Sequence, residues 1–140
     1  ISVVQSKPEL QKICLFSALL AWLAKVDDKI NFPELKQIRA ILKKTCGLSD
    51  EVAKCIQEVS FSIDANDLEL SEVVTSLREV THRYERNDLF HALSRLLVID
   101  GEVTDEELES LRTIALYLEI SQEVWIDAIK EIFAKSGRHQ

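Results

Sequence analysis

The chain has no methionine, only three glycines and two prolines in 140 residues, and aromatic residues make up just 6% of it. So few turn-forming residues exclude an architecture of many short strands and tight hairpins, which needs both glycine and proline. Cysteine is scarce too. Cys14, Cys46 and Cys55 are odd in number and form no CxxC, which argues against a secreted disulfide framework and fits a reducing cytoplasm. The longest apolar run, Ile13 to Ala24 with Ser17 its one polar residue, is shorter than the about 20 residues that cross a bilayer. No signal peptide is visible, so a soluble chain is expected. Without methionine, Ile1 is not a natural start, and the chain is expected to be trimmed or part of a longer protein.

What the chain does have is 46% apolar and 29% charged residues, a balance suited to closely spaced helices. Its length fits a single domain spanning 1–140 that buries roughly two-thirds of its unfolded surface. The net charge of −7 is uneven: residues 1–70 hold ten acids against nine bases, and residues 71–140 hold fourteen against eight. An acidic surface repels phosphate backbones, so nucleic acid is not an expected partner, while cations and basic protein surfaces are attracted. Solubility alone would also explain the charge.

Periodicity and capping residues predict seven helices. Ser6, Pro8 and Glu9 open the first, which carries Leu10 through Val26 and is apolar on nearly every face, as a helix surrounded by others would be. Asn31, Pro33 and Glu34 start the second, over about 33–46, ended by Gly47. Ser49 caps the third, with Val52, Cys55, Ile56 and Val59 facing inward. Phe61 to Leu70 lacks periodicity and reads as a loop. Ser71 opens the fourth, with the stripe Val73, Leu77, Val80 and Tyr84 and an end near Arg86-Asn87. Asn87 or Asp88 caps the fifth, again strongly apolar from Leu89 to Ile99. Thr104 and Glu107 form a capping box for the sixth, Ser121 caps the seventh, and 136–140 is a polar tail.

An offset of 73 aligns Leu20 with Leu93, Leu23 with Leu96, Asp27 with Asp100, Glu34 with Glu107, Arg39 with Arg112 and Ile41 with Ile114. With an offset of 72, Leu48-Ser49 matches Ile120-Ser121 and Val52 matches Val124. The reading is an all-α compact bundle built from two duplicated three-helix units, about 7–60 and 88–135, with 61–86 as the bridging loop and helix. The first and fifth helices are the expected central pair, packed together across a pseudo-twofold axis.

The run Val98-Ile99-Asp100-Gly101-Glu102-Val103 followed by Glu106-Glu107-Leu108 is doubled by Lys25-Val26-Asp27-Asp28-Lys29-Ile30 and Glu34-Leu35. This doubled pattern resembles the tellurite-resistance TerB family over most of the chain. The resemblance implies a compact helical fold, an association with bacterial tellurite resistance and stress response, divalent-cation binding, and membrane-bound TerC-type partners. It implies no settled reaction. The first copy departs from the pattern: Asp28 stands in place of the glycine and Lys29 in place of the acid.

The acidic turns admit two readings. Asp27 and Asp100 end apolar helices, where a carboxylate meets the negative end of the helix dipole at a cost of about 0.3–1 kcal/mol. The structural reading offsets this with amides of the following turn or with Arg39 and Arg112, and makes Glu34 and Glu107 capping acids. The functional reading is a hard-cation site in which Asp100, Glu102 and Glu107, with Asp105 or Glu106, offer oxygens, echoed by Asp27 and Glu34; Ca²⁺ or Mg²⁺ suits such a set better than Zn²⁺. It is not an ordinary EF-hand: with Gly101 at loop position six, positions one and three are Leu96 and Val98, which cannot ligate calcium.

Elsewhere, Cys46 and Cys55 with His82 or His91 lack zinc spacing, and helical thiols are expected as small core residues. Cys14 sits where an apolar stretch disfavours thiolate, so no cysteine nucleophile is expected. Trp22 and Trp125 are expected in the core. The function expected is a non-enzymatic, cytoplasmic stress-response module, able to sit at the inner face of the membrane without spanning it. It would act through protein contacts, with a divalent cation at its acidic turn. The alternative is a metal-independent scaffold or co-chaperone-like interaction domain.

Overall fold

Most of the described chain is helical, because the sequence offers apolar stripes at helical spacing and few residues that break them. The structure, a computed structural model, describes residues 7–26, 32–62, 69–99 and 103–136. Among these are α1 (Lys7–Ala24), α2 (Phe32–Cys46), α3 (Asp50–Ser62), α4 (Leu70–Glu79), α5 (Arg83–Leu97), α6 (Asp105–Leu118) and α7 (Gln122–Ser136), and no strand. The chain is an all-α compact bundle.

The first helix is central. α1 packs against α2, α3, α4, α5 and α6, so Ile13, Phe16, Leu19, Leu20 and Leu23 have at most 1% of their surface exposed. α5 packs on α1, α2, α6 and α7, burying Phe90, Leu93 and Leu96. Trp22 and Trp125 pack against this core, with the Trp125 and Phe90 ring centroids 6.1 Å apart.

Several local features occur at both ends of the 72-residue offset. α2 ends with Gly47 at φ +68° and a bond from Leu48 N to the Lys43 carbonyl at 3.1 Å. α6 ends with Glu119 at φ +59° and a bond from Ile120 N to the Ala115 carbonyl at 2.9 Å. Both are left-handed closures that satisfy a terminal carbonyl. Ser49 Oγ then accepts from Val52 N, and Ser121 Oγ from Val124 N, each at 3.3 Å. The surroundings differ: α2 packs on α3, whereas α6 packs on α4.

The helix boundaries predicted around 80–88 need correction. α4 begins at Leu70 and ends at Glu79, and α5 begins at Arg83, so Arg86, Asn87 and Asp88 lie inside a helix. Thr81 Oγ1 donates to the Leu77 carbonyl at 2.7 Å, which stops α4. His82 is extended (φ −103°, ψ 174°), and its N–H donates to Glu85 Oε1 at 3.3 Å, which starts α5. Tyr84 therefore belongs to α5 and is 76% exposed, not part of a buried α4 stripe.

Candidate functional site

The acidic first turn of α6 is set by its cap. Thr104 takes an extended conformation (φ −82°, ψ 161°), and its Oγ1 accepts from Glu107 N at 3.1 Å. Glu107 Oε1 accepts from Thr104 N at 2.9 Å and from Thr104 Oγ1 at 3.3 Å. This is the reciprocal capping box expected from the Thr-x-x-Glu spacing, and it satisfies donors that the first turn of a helix leaves open. The carboxylate also lies near the positive end of the α6 dipole, which stabilises its charge.

The burial of this acid is unusual. Glu107 is 4% exposed, and so is Glu34 at the corresponding position of α2. Glu85 makes the same backward bond to its own cap residue, yet its side chain is 30% exposed. A helix-starting glutamate thus has no need to be buried, and a buried carboxylate is costly unless it is well compensated. Asp105 and Glu106, the flanking acids of the first turn, face solvent.

Of the predicted cation ligands, the structure describes Glu107 and Glu34; Asp100, Glu102 and Asp27 lie outside the described residues. Among the described residues no group of three or more His, Cys, Asp or Glu side chains is gathered to hold a metal ion. Arg39, considered as a partner for Asp27, donates from Nε to Gln57 Oε1 at 3.2 Å. Gln57 Nε2 in turn donates to the Leu35 carbonyl at 2.8 Å, tying α3 to α2. Arg112 is exposed on α6.

Sequence reasoning missed a second ionic cluster, between α1 and α5. Lys12 Nζ pairs with Glu9 Oε1 at 2.9 Å and with Glu85 Oε2. Burial works against the charge on both Lys12 and Glu85, but it is outweighed by the sum of their mutual hydrogen bond, the bonds to Glu9 and to the His82 amide, and charge attraction, which hold Lys12 above and Glu85 below their ordinary values. No local motif marks it, because the two residues lie on separate helices 73 positions apart.

The cysteine expectations are overturned in part. Cys14 and Cys55 are exposed rather than in the core. Val59, one turn beyond Cys55, is 64% exposed, while its neighbour Ser60 turns inward at 7%. The buried face of α3 is instead that of Ala53, Gln57 and Ser60, where the Ser60 hydroxyl meets that of Ser17 on α1 at 2.7 Å. Cys46 is half-buried, and burial pushes its thiol up to about 11.

These observations define a helical bundle with a capped acidic turn and a buried glutamate opening α6. The chain belongs to the TerB family: the family model described as tellurite resistance protein TerB matches residues 15–130. The crystal structure of a protein of unknown function from Porphyromonas gingivalis W83 shares the fold, with a TM-score of 0.65 at 16% identity, over 94% of this chain and 93% of that one. No curated protein matches the chain. Among the described residues no helix is long and apolar enough to cross a membrane.

Proposed function

We propose that this TerB-type chain is a non-enzymatic stress-response module that acts through protein contacts, and that its acidic turn at 100–107 holds a divalent cation. The observation that carries the proposal is the burial of Glu107 and Glu34, each 4% exposed at the start of its helix, where a capping role alone requires none. Carboxylate oxygens are hard donors suited to Ca²⁺ or Mg²⁺. Asp100, Glu102 and Glu107 would supply them, with Asp27 and Glu34 as a second set. The cation would brace the turn between α5 and α6 and make the acidic face of the second half responsive to metal. A protein partner with a basic or membrane-associated surface fits that face.

A second reading, a metal-independent scaffold, is favoured by the completeness of the Thr104–Glu107 box, which already gives Glu107 two donors. Calorimetric titration of metal-free protein with Ca²⁺, Mg²⁺, Mn²⁺ and Zn²⁺ separates the two readings. Saturable binding lost in Asp100→Asn and Glu102→Gln, with folding intact by circular dichroism, supports the cation module. Absence of heat with every metal sinks it in favour of the scaffold.

A further inference from the structure

Two of the three cysteines line one small surface pocket. Cys14 on α1 and Cys55 on α3 are exposed free cysteines, and both line a pocket of about 200 Å³ whose other walls are Ile56, Val59 and Ser60. At ~30 Å³ per water that space holds only several molecules, so the two cysteines border one small pocket that opens to solvent. No charged side chain lines it. The Ser60 hydroxyl, the only side-chain oxygen in the wall, is engaged with Ser17 at 2.7 Å. That bond sits one helical turn beyond Cys14 and fixes α1 against α3 beside the pocket.

We propose that Cys14 and Cys55 form a dithiol site for a thiophilic trivalent metalloid of the arsenic(III) class. Sulfur is the soft donor such an element prefers, whereas hard cations seek the oxygens that this pocket lacks. The apolar walls suit the neutral adduct. Capture is a condensation without redox change: an organoarsenic(III) oxide forms two As–S bonds, its As–O bonds break, and the two thiol protons leave with the oxygen as one water. Two thiols held on one scaffold convert the second bond into an intramolecular step, which strengthens capture over a single thiol by a factor of about 10²–10⁴. Cys46 is not part of the site, since it lies half-buried on α2 and lines a different cavity with Lys12 and Glu85.

The test uses phenylarsine oxide with the reduced full chain, read by intact mass in excess 2-mercaptoethanol. The expected result is one arsenical per chain that resists the monothiol and is released by 2,3-dimercaptopropanol. Cys14→Ser and Cys55→Ser should each weaken capture at least about a hundredfold, while Cys46→Ser retains it, with all three variants folded by circular dichroism. The proposal is overturned if the wild type gives no monothiol-resistant adduct, or if either Cys14→Ser or Cys55→Ser keeps it.

Discussion

Lys12 on α1 and Glu85 on α5 form an ion pair although 73 residues separate them. The pair lies at the seam where α1 and α5 pack together.

This seam has a pH signature. Glu85 is held below its ordinary value, so its contribution is complete above the unfolded carboxylate range, near ~4.3, and is lost as pH falls through the lowered folded value. Lys12 is held above its ordinary value, so its contribution is complete below ~10.4 and is lost as pH rises through the raised folded value. Denaturation midpoints measured from pH 2 to 12 should lose part of their acid-side slope in Glu85→Gln and part of their alkaline-side slope in Lys12→Met. A double-mutant cycle at pH 7 should give a coupling of about 1 kcal/mol.

The two left-handed helix ends should respond in opposite directions. Gly47 has open space around the position of a Cβ, so Gly47→Ala costs about 1–2 kcal/mol through its positive φ alone. At Glu119 the same geometry is borne by an L side chain. Glu119→Gly should stabilise by about 0.5–1 kcal/mol, because the exposed pair it forms with Arg78 at 3.3 Å contributes little. Urea denaturation of both variants checks the signs.

Thr104→Ala removes the hydroxyl that accepts from Glu107 N and donates to Glu107 Oε1. Losing a helix cap costs about 1–2 kcal/mol; here the loss also takes a donor from a buried carboxylate, which puts the expectation at the upper end. Thr104→Ser should recover most of it. Chemical denaturation of the two variants gives the comparison, and equal loss in both would refute a role for the hydroxyl.

Thiol reactivity should divide the cysteines. With iodoacetamide at pH 8, Cys14 and Cys55 should alkylate quickly because they are exposed. Cys46 should lag, since burial pushes its thiol up to about 11 and the thiolate is the reacting form. Peptide mapping over time reads the order, and rapid labelling of Cys46 would contradict it.

Gln57 is the buried polar link between α2 and α3, donating to the Leu35 carbonyl and accepting from Arg39. Gln57→Ala should cost about 1–3 kcal/mol, since two hydrogen bonds made by a buried side chain are lost. Gln57→Glu should also destabilise, because a carboxylate cannot donate to Leu35. Thermal melts of both variants, each well below the wild type, are the expected outcome.

Much of the local structure was legible in the sequence. The Thr104–Glu107 box, the Ser49 and Ser121 caps and the Gly47 stop each depend on residues within one helical turn, whose hydrogen bonds compete only with water. The encirclement of α1 was legible as well, from apolar residues on nearly every face. The break between α4 and α5 was not, because Thr81 and His82 carry no glycine or proline to mark it, and the stop is made by a hydroxyl bonding back to Leu77. Three of the five proposed cation ligands fall in segments outside the described residues, so the acidic turns were readable as a pattern rather than as a coordination sphere.

Local sequence sets the helical character, where most helices start and stop, and which acid caps α6, because those choices are settled by neighbours three or four residues away. Only the tertiary structure decided that Cys14 and Cys55 face outward into a shared pocket, that Glu107 is buried while Glu85 is not, that Lys12 meets Glu85, and that α6 lies on α4 while α2 lies on α3. Those outcomes depend on which helix covers which face, and that is fixed by packing between segments tens of residues apart, where the periodicity of one helix says how wide its apolar face is but not what lies against it.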